Sequence, residues 1–367
     1  MKRRQRNSTF EIMKLMAVLL IIYSSALPYG ATYVRGRYDD IFVNLNLTQF
    51  SATQIIFSFF RWCGQIGDTL FIAVSAYFLC DDEKIKLEKP IRMVIDTWVL
   101  LVIGLIGAFF FMVPSIKEII KSLMPVRYSL NWFVGCYIIY YLIHPLLNRA
   151  VKGLEQTDFK KMVIILFALY SVLGCVQQEY YYTNLVGFIC IHYFVMYYKK
   201  YGINAGTNTR EILSTGNIKR DVIAIVLSVA AILIWICVLN FVGQYITVLS
   251  DKGLFLCTFM NPLIVVISLA ALDIAVHTKP HEIKWVNAFT KNSLLIYLLH
   301  GSYYWLTYGK YTLHAVLNSC GIPALGRMLI ISAIYMIATP LLSAIYNKIT
   351  DKRFNRISSL LAEKIMK

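Results

Sequence analysis

Residues 11–25, EIMKLMAVLLIIYSS, open the first long apolar run of the chain and decide how the rest of it is read. The run is oily enough to lie in hydrocarbon, yet it carries Glu11 and Lys14 at its start and the adjacent hydroxyls Ser24 and Ser25 further along. It follows Lys2, Arg3, Arg4 and Arg6, an order that a secretory signal also shows. Many equally apolar segments follow and no small-x-small cleavage pattern is evident, so we read it as a retained membrane span.

Composition extends that reading to the whole chain. Of 367 residues 58% are hydrophobic, and the mean hydropathy is +0.61; an ordinary soluble domain holds about 45–50% apolar residues. A net charge of +16 raises the question of nucleic acid. The basic residues nevertheless come in short clusters between apolar runs and form no single patch, which points to membrane topology and excludes a nucleic-acid partner. The eight cysteines show no CxxC pairing and fall mostly inside apolar runs, so they read as small buried hydrophobes, with no metal site or disulfide framework expected.

A span needs about 20 apolar residues. Ten segments meet or approach that length: 10–30, 53–80, 92–114, 130–148, 162–177, 184–199, 221–242, 253–277, 291–308 and 324–347. With a cytoplasmic N-terminus, 26 basic residues fall in inner segments and seven in outer ones, the asymmetry that short cytoplasmic loops show. The expected fold is therefore all-α, a polytopic membrane helical bundle of about ten transmembrane helices with both termini cytoplasmic. Residues 1–367 form one integral membrane domain. The stretch 348–367 is a basic amphipathic tail expected against the inner leaflet, Tyr201–Lys219 reads as a polar connector, and Ile116–Met124 reads as a short interfacial helix on the outer side.

Ionisable groups in a bilayer cost roughly 2.5–3.5 kcal/mol each on insertion scales, so each needs a reason. Glu11 and Lys14 stand three apart on one helix face and can neutralise each other; alternatively Lys14 faces a cavity open to the cytoplasm and holds an anion. Arg61 and Asp68 share a face of the second span but stand too far apart to pair directly, and Gly64 and Gly67 between them allow another helix to approach. His300 lies nine residues after Lys291, about 14 Å along its helix, and Ser25 lies eleven after Lys14, about 16 Å, so the two share a level if their helices are neighbours. An imidazole at that depth either bonds between helices or transfers protons. His144 and His192 suit interfacial hydrogen bonds, while His277, His281 and His314 read as loop or boundary residues. No GxSxG elbow, P-loop or HExxH occurs, which removes soluble hydrolases, nucleotidases and metalloproteases.

Four segments, NSTFEIMKLMAVLLIIYSS (7–25), GQIGDTLFIAVSAYFL (64–79), LNWFVGCYIIYYLIHPLLN (130–148) and NSLLIYLLH (292–300), together resemble the membrane-bound acyltransferase 3 family. They are similar to its R-N-x-x-I-E-L-L-R, G-x-x-G-x-x-L-F-x-x-S-G-Y-F, L-W-F-L-x-x-Y and I-Y-L-x-H patterns, in order and over nearly the whole chain. The resemblance implies a bacterial plasma (inner) membrane enzyme. It would take an acyl group, commonly acetyl, from acyl-CoA on the cytoplasmic side and deliver it to a hydroxyl of a cell-surface or exported polysaccharide. No metal is implied; membrane lipid, acyl-CoA and a glycan acceptor are the partners, and the oligomeric state is left open. In that family a basic residue, ten residues and a catalytic histidine mark the first span. Here Lys14 matches the basic position, the histidine position falls on Ser25, and Ala76 stands where the family has glycine after Ser75.

Three accounts follow from that departure. His300 activates Ser25 or the glycan hydroxyl itself, with Lys14 and Arg92 attracting the coenzyme phosphates and Glu11, Ser24, Arg61, Asp68 and Ser75 serving as substrate-lining or bracing polar groups. Alternatively the chain is a catalytically inactive member that partners a glycan-assembly system. Or it serves a transporter-like role.

Overall fold

The computed structural model describes residues 8–29, 41–110, 115–124, 131–176, 183–203, 216–301 and 309–366. Every regular element among them is helical. In chain order these are α1 (Ser8–Ser25), α2 (Ala52–Leu79), α3 (Glu88–Ala108), α4 (Ile116–Leu123), α5 (Trp132–Ala150), α6 (Gln156–Leu166), α7 (Gly174–Val176) and α8 (Asn184–Tyr197), followed by α9 (Ile218–Val242), α10 (Pro262–His277), α11 (Lys284–Thr290), α12 (Ser293–His300), α13 (Lys310–Ser319) and α14 (Ala324–Met366). Wider π turns at Phe167–Leu173 and Tyr198–Ile203 join α6 to α7 and extend α8.

A helix lies in each of the ten expected segments. Five are long and apolar enough to cross a membrane: Ser8–Ser25, Glu88–Ala108, Gln156–Val176, Ile218–Val242 and Ala324–Met366, with Pro262–His277 a shorter apolar helix. Their outward faces are apolar too. Val226, Leu227 and Ile234 on α9, and Ile337, Leu341 and Ile345 on α14, are exposed, a distribution that hydrocarbon tolerates and water does not. The chain is a multi-pass membrane protein, and every regular element among its described residues is helical. Ten crossings with cytoplasmic termini is the topology carried into the proposed function.

Helix ends follow local chemistry. Ser51, Thr183, Asn217 and Asn261 precede α2, α8, α9 and α10, and each accepts a hydrogen bond from a first-turn amide. The segment expected at 253–277 becomes helical only at Pro262, because Leu256 adopts the left-handed backbone conformation, φ 68°, which is foreign to a helix. The carboxyl end of α2 is held from two sides. Asn148 Nδ2 donates to Leu79 O and to Asp82 O, each at 2.9 Å. Lys199 Nζ donates to Tyr77 O at 2.7 Å, so carbonyls that the helix leaves open are satisfied by side chains. The stretch expected as an interfacial helix, Ile116–Met124, contains the short helix α4. Most of the expected connector, 204–215, and the end of the expected ninth span, 302–308, lie outside the described residues.

The chain divides into two compact units. The first comprises Met1–Ser24, Leu45–Glu83 and Ile143–Lys291; in it α10 packs on α9 and α2, and α2 on α8. Gly67 is where α1 meets α2: a Cβ there would stand 2.6 Å from Ala17 O. This is the helix approach anticipated from the two glycines, and α1 is the partner. The second unit comprises Ser25–Asn44, Lys84–Leu142 and Asn292–Lys367, with α3, α12 and α13 packed on α14. Residues 348–366, expected as a separate tail, continue α14 without a break. The 43 residues of α14 rise far more than a bilayer requires: at about 1.5 Å per residue they exceed the hydrocarbon thickness of about 30 Å roughly twofold.

Candidate active site

The amino end of α1 is a polar junction. Ser8 Oγ donates to Asn287 Oδ1 at 2.9 Å and accepts from Ile283 N at 2.6 Å, so one hydroxyl ties α1 to the start of α11. One turn on, Glu11 Oε2 accepts from Thr290 Oγ1 at 2.5 Å, and Glu11 Oε1 meets Lys14 Nζ at 3.4 Å. The ion pair anticipated from their spacing is present, and Glu11 is buried. Lys14 is a quarter exposed, its carboxylate contact is long, and its ammonium stands 6.0 Å from the Phe78 ring. An ammonium held this loosely retains donors for an anion.

Further along α1, Ser24 accepts from Arg61 Nη1 at 3.4 Å. Gly64 makes the approach possible, since a Cβ there would collide with Ser24 Oγ and stand 2.5 Å from Ser24 Cβ. Asp68 is buried, and its Oδ1 has no hydrogen-bond partner among the described residues. Ser75 Oγ donates back to Phe71 O at 2.9 Å, a local helix bond. An apolar cavity of about 380 Å³ opens between α1, α2, α9 and α10, lined by Met13, Met16, Phe59, Cys63, Ile225 and Ile267 among others. Its walls suit a hydrocarbon chain and offer nothing to a phosphate.

In the second unit His300 ends α12 and is fully buried. Its Nδ1 lies 2.9 Å from Ile296 O, so that nitrogen carries the hydrogen and donates, leaving the lone pair on Nε2. Nε2 has no partner among the described residues, and the ring lies 5.5 Å from the Tyr297 ring and 6.2 Å from that of Tyr335. Ser25 is half-buried. Among the described residues His300 Nε2 makes no hydrogen bond to Ser25, so of the two expected roles of His300 the structure leaves the direct one, on the acceptor hydroxyl, with the simpler geometry.

Arg92, expected to meet coenzyme phosphates, is engaged by other side chains of its own unit. Its Nε donates to Asp96 at 3.0 and 2.8 Å, Nη1 to Asn355 at 3.1 Å, and Nη2 to Thr350 and Asp351 at 3.1 and 3.2 Å. Its guanidinium lies 5.2 Å from the Phe354 ring. These bonds fasten α3 to α14 and use four of the five N–H donors of the fork. Lys14, with its single long carboxylate contact, is the less occupied of the two expected phosphate-binding cations.

His314, taken from sequence as a boundary residue, is fully buried on α13. Its Nε2 lies 3.0 Å from Ala26 O, the carbonyl just beyond Ser25. Lys310 Nζ and Tyr311 OH donate to Tyr29 O at 3.2 and 3.3 Å, so α13 is stitched to the segment leaving α1. Burial pushes the imidazole down to about 4, opposed by the Ala26 bond and aided by the nearby Lys310 and Arg327 charges. His314 is neutral at physiological pH, with its Nδ1 lone pair bare among the described residues. Sequence held one signal of this, a basic i, i+4 pair (Lys310, His314) beside Tyr311, but nothing that named Ala26.

A family model described as an acyltransferase domain, that of acyltransferase 3, matches residues 7–348. No curated protein matches the chain. No solved structure matches it.

Proposed function

The chain belongs to the acyltransferase 3 family, and from that premise we propose that this membrane acyltransferase takes its acyl group, most simply acetyl, from acyl-CoA and delivers it to a hydroxyl of a cell-surface or exported polysaccharide. The bacterial inner membrane is the proposed setting, with the donor on the cytoplasmic side. Lys14 attracts the coenzyme phosphates at the amino end of α1, where its ammonium is held only loosely by Glu11. His300 serves as general base at the acceptor. Its Nε2 takes the hydroxyl proton as the hydroxyl oxygen attacks the thioester carbonyl. The carbon–sulfur bond breaks, the acyl group leaves on the acceptor oxygen, and the coenzyme sulfur recovers the proton as a thiol.

The observation that carries this reading is the state of His300. A fully buried imidazole with one nitrogen fixed on a backbone carbonyl and the other bare among the described residues is a base held in one tautomer. The bond to Ile296 O does for His300 what an orienting carboxylate does elsewhere. Purified protein given labelled acetyl-CoA and a glycan is expected to release coenzyme A and label the glycan, and His300→Ala to lower that rate by about 10²-fold or more. Unchanged transfer by the variant removes His300 from the site.

Ser25 favours a second reading. With a serine at the family's histidine position and no bond between it and His300, the fold serves a glycan-assembly partner or a transporter-like protein without transfer. That reading expects no coenzyme A release with any acceptor, together with an altered surface glycan when the protein is deleted.

A further inference from the structure

Residues 283–350 contain no aspartate or glutamate, yet four basic side chains within them are buried: His300, Lys310, His314 and Arg327. Arg327 is the decisive one. It sits in the first turn of α14, and its exposure is 5%. Both of its hydrogen bonds leave from Nη1, one to Ile322 O at 3.0 Å and a short one to Asn318 Oδ1. Its Nε is buried and has no partner among the described residues. What remains is the Nε–Nη2 edge, where two N–H donors lie side by side and match the two oxygens of a carboxylate.

No carboxylate among the described residues pairs with this guanidinium; a buried cation in that state is costly, and a carboxylate from a ligand relieves that cost. Asn318, which holds Arg327, stands one turn from His314 on α13, about 6 Å along the axis. The His314 Nε2–H bond to Ala26 O fixes the tautomer and leaves Nδ1 as a hydrogen-bond acceptor. Within one unit, then, the fold sets an unmatched bidentate cation near a neutral acceptor nitrogen, at the residue that follows Ser25. One group wants a carboxylate and the other a hydroxyl.

We propose that Arg327 and His314 form a binding subsite for an acidic sugar, the Nε–Nη2 edge of Arg327 holding its carboxylate and Nδ1 of His314 accepting a hydrogen bond from one of its hydroxyls. The subsite rests on the acyl-transfer reading for its purpose: it narrows the acceptor from glycans in general to those bearing uronic acids. On the ten-span topology it lies at the outer end of α1, the side an exported glycan occupies.

The test is equilibrium binding to the full-length protein in lipid nanodiscs, without donor, of oligogalacturonate, a neutral malto-oligosaccharide of equal length and a phosphorylated malto-oligosaccharide. Wild-type protein is expected to bind the uronate about tenfold or more tighter than the neutral sugar, and tighter than the phosphate, as one bidentate pair provides. Arg327→Lys keeps the charge but loses the fork, and is expected to erase most of the preference over the phosphate. Arg327→Gln should bring the uronate-to-neutral ratio near one, and His314→Ala should weaken uronate and neutral sugar together. Equal wild-type affinity for uronate and neutral sugar overturns the subsite, as does undiminished discrimination by a folded Arg327→Gln protein. Coenzyme A release separates this from the transfer reading. Selective uronate binding without release keeps the subsite and ends the transfer reading, whereas release with every sugar alike and equal affinities does the reverse.

Discussion

The Nε2 of His314 and the carbonyl oxygen of Ala26 lie 3.0 Å apart across 288 positions of sequence. The bond delivers a buried imidazole to the residue following Ser25, and it makes the end of α1 sensitive to protonation. Burial holds this imidazole at about 4, below the ordinary 6.5. Above about pH 6.5 both the folded and the unfolded chain carry it neutral, and its full contribution to stability is present. As pH falls from about 6.5 toward about 4 the unfolded chain takes up a proton that the folded one refuses, so stability declines by up to about 3 kcal/mol; below about 4 this decline ends. Thermal unfolding in detergent from about pH 7 to about pH 4 should show that loss in wild-type protein and not in His314→Gln, and parallel curves would contradict a neutral His314.

Gly64 and Gly67 are predicted to differ in tolerance. At Gly67 an added methyl meets the Ala17 carbonyl at 2.6 Å, which is backbone and cannot rotate away. Gly67→Ala should cost about 1–3 kcal/mol, and no single side-chain change opposite should recover it. At Gly64 the methyl meets the Ser24 side chain, its Cβ at 2.5 Å, and no backbone. Gly64→Ala should be repaired in large part by Ser24→Gly, and unfolding midpoints of the single and double variants in detergent would reveal any failure of that pairing.

Arg92→Ala is expected to destabilise the protein by about 3 kcal/mol, because it strands the partly buried Asp96 and releases Asp351, Asn355 and Thr350 at once. Affinity for coenzyme A in the folded fraction should stay within a factor of about two, within the scatter of a surface change. A tenfold loss of coenzyme affinity without loss of stability would restore the phosphate role to Arg92.

Lys14→Gln is expected to raise KM for the acyl donor about tenfold while leaving kcat nearly unchanged, the signature of a uniform binding contact. Raising salt should shrink the difference between wild type and variant, since Lys14 is partly exposed and its attraction is screened. A fall in kcat at constant KM would move Lys14 from donor binding to the chemistry.

The apolar runs made most of the helices legible: the expected 221–242 is Ile218–Val242, and 53–80 is Ala52–Leu79. Hydropathy could not locate Leu256 in its left-handed conformation, nor the π turns at Phe167–Leu173 and Tyr198–Ile203, because those depend on backbone angles that composition does not record. The Glu11–Lys14 pair was legible from spacing alone. Arg92 was half legible, since Asp96 lies one turn away, but its bonds to Thr350, Asp351 and Asn355 join stretches of chain as much as 263 positions apart. His314 was opaque for a stronger reason: its partner is a main-chain oxygen, which every residue possesses.

The uninterrupted course of α14 gives the protein a strut. Arg327 rides near one end of it, and the Arg92 anchorage grips Asp351 much further along the same axis, about 36 Å away. Pro340, lacking an amide hydrogen, leaves one rung of that strut open between the two. Both anchorages therefore act on one and the same helix, and Pro340 is the point between them where that helix lacks a main-chain donor.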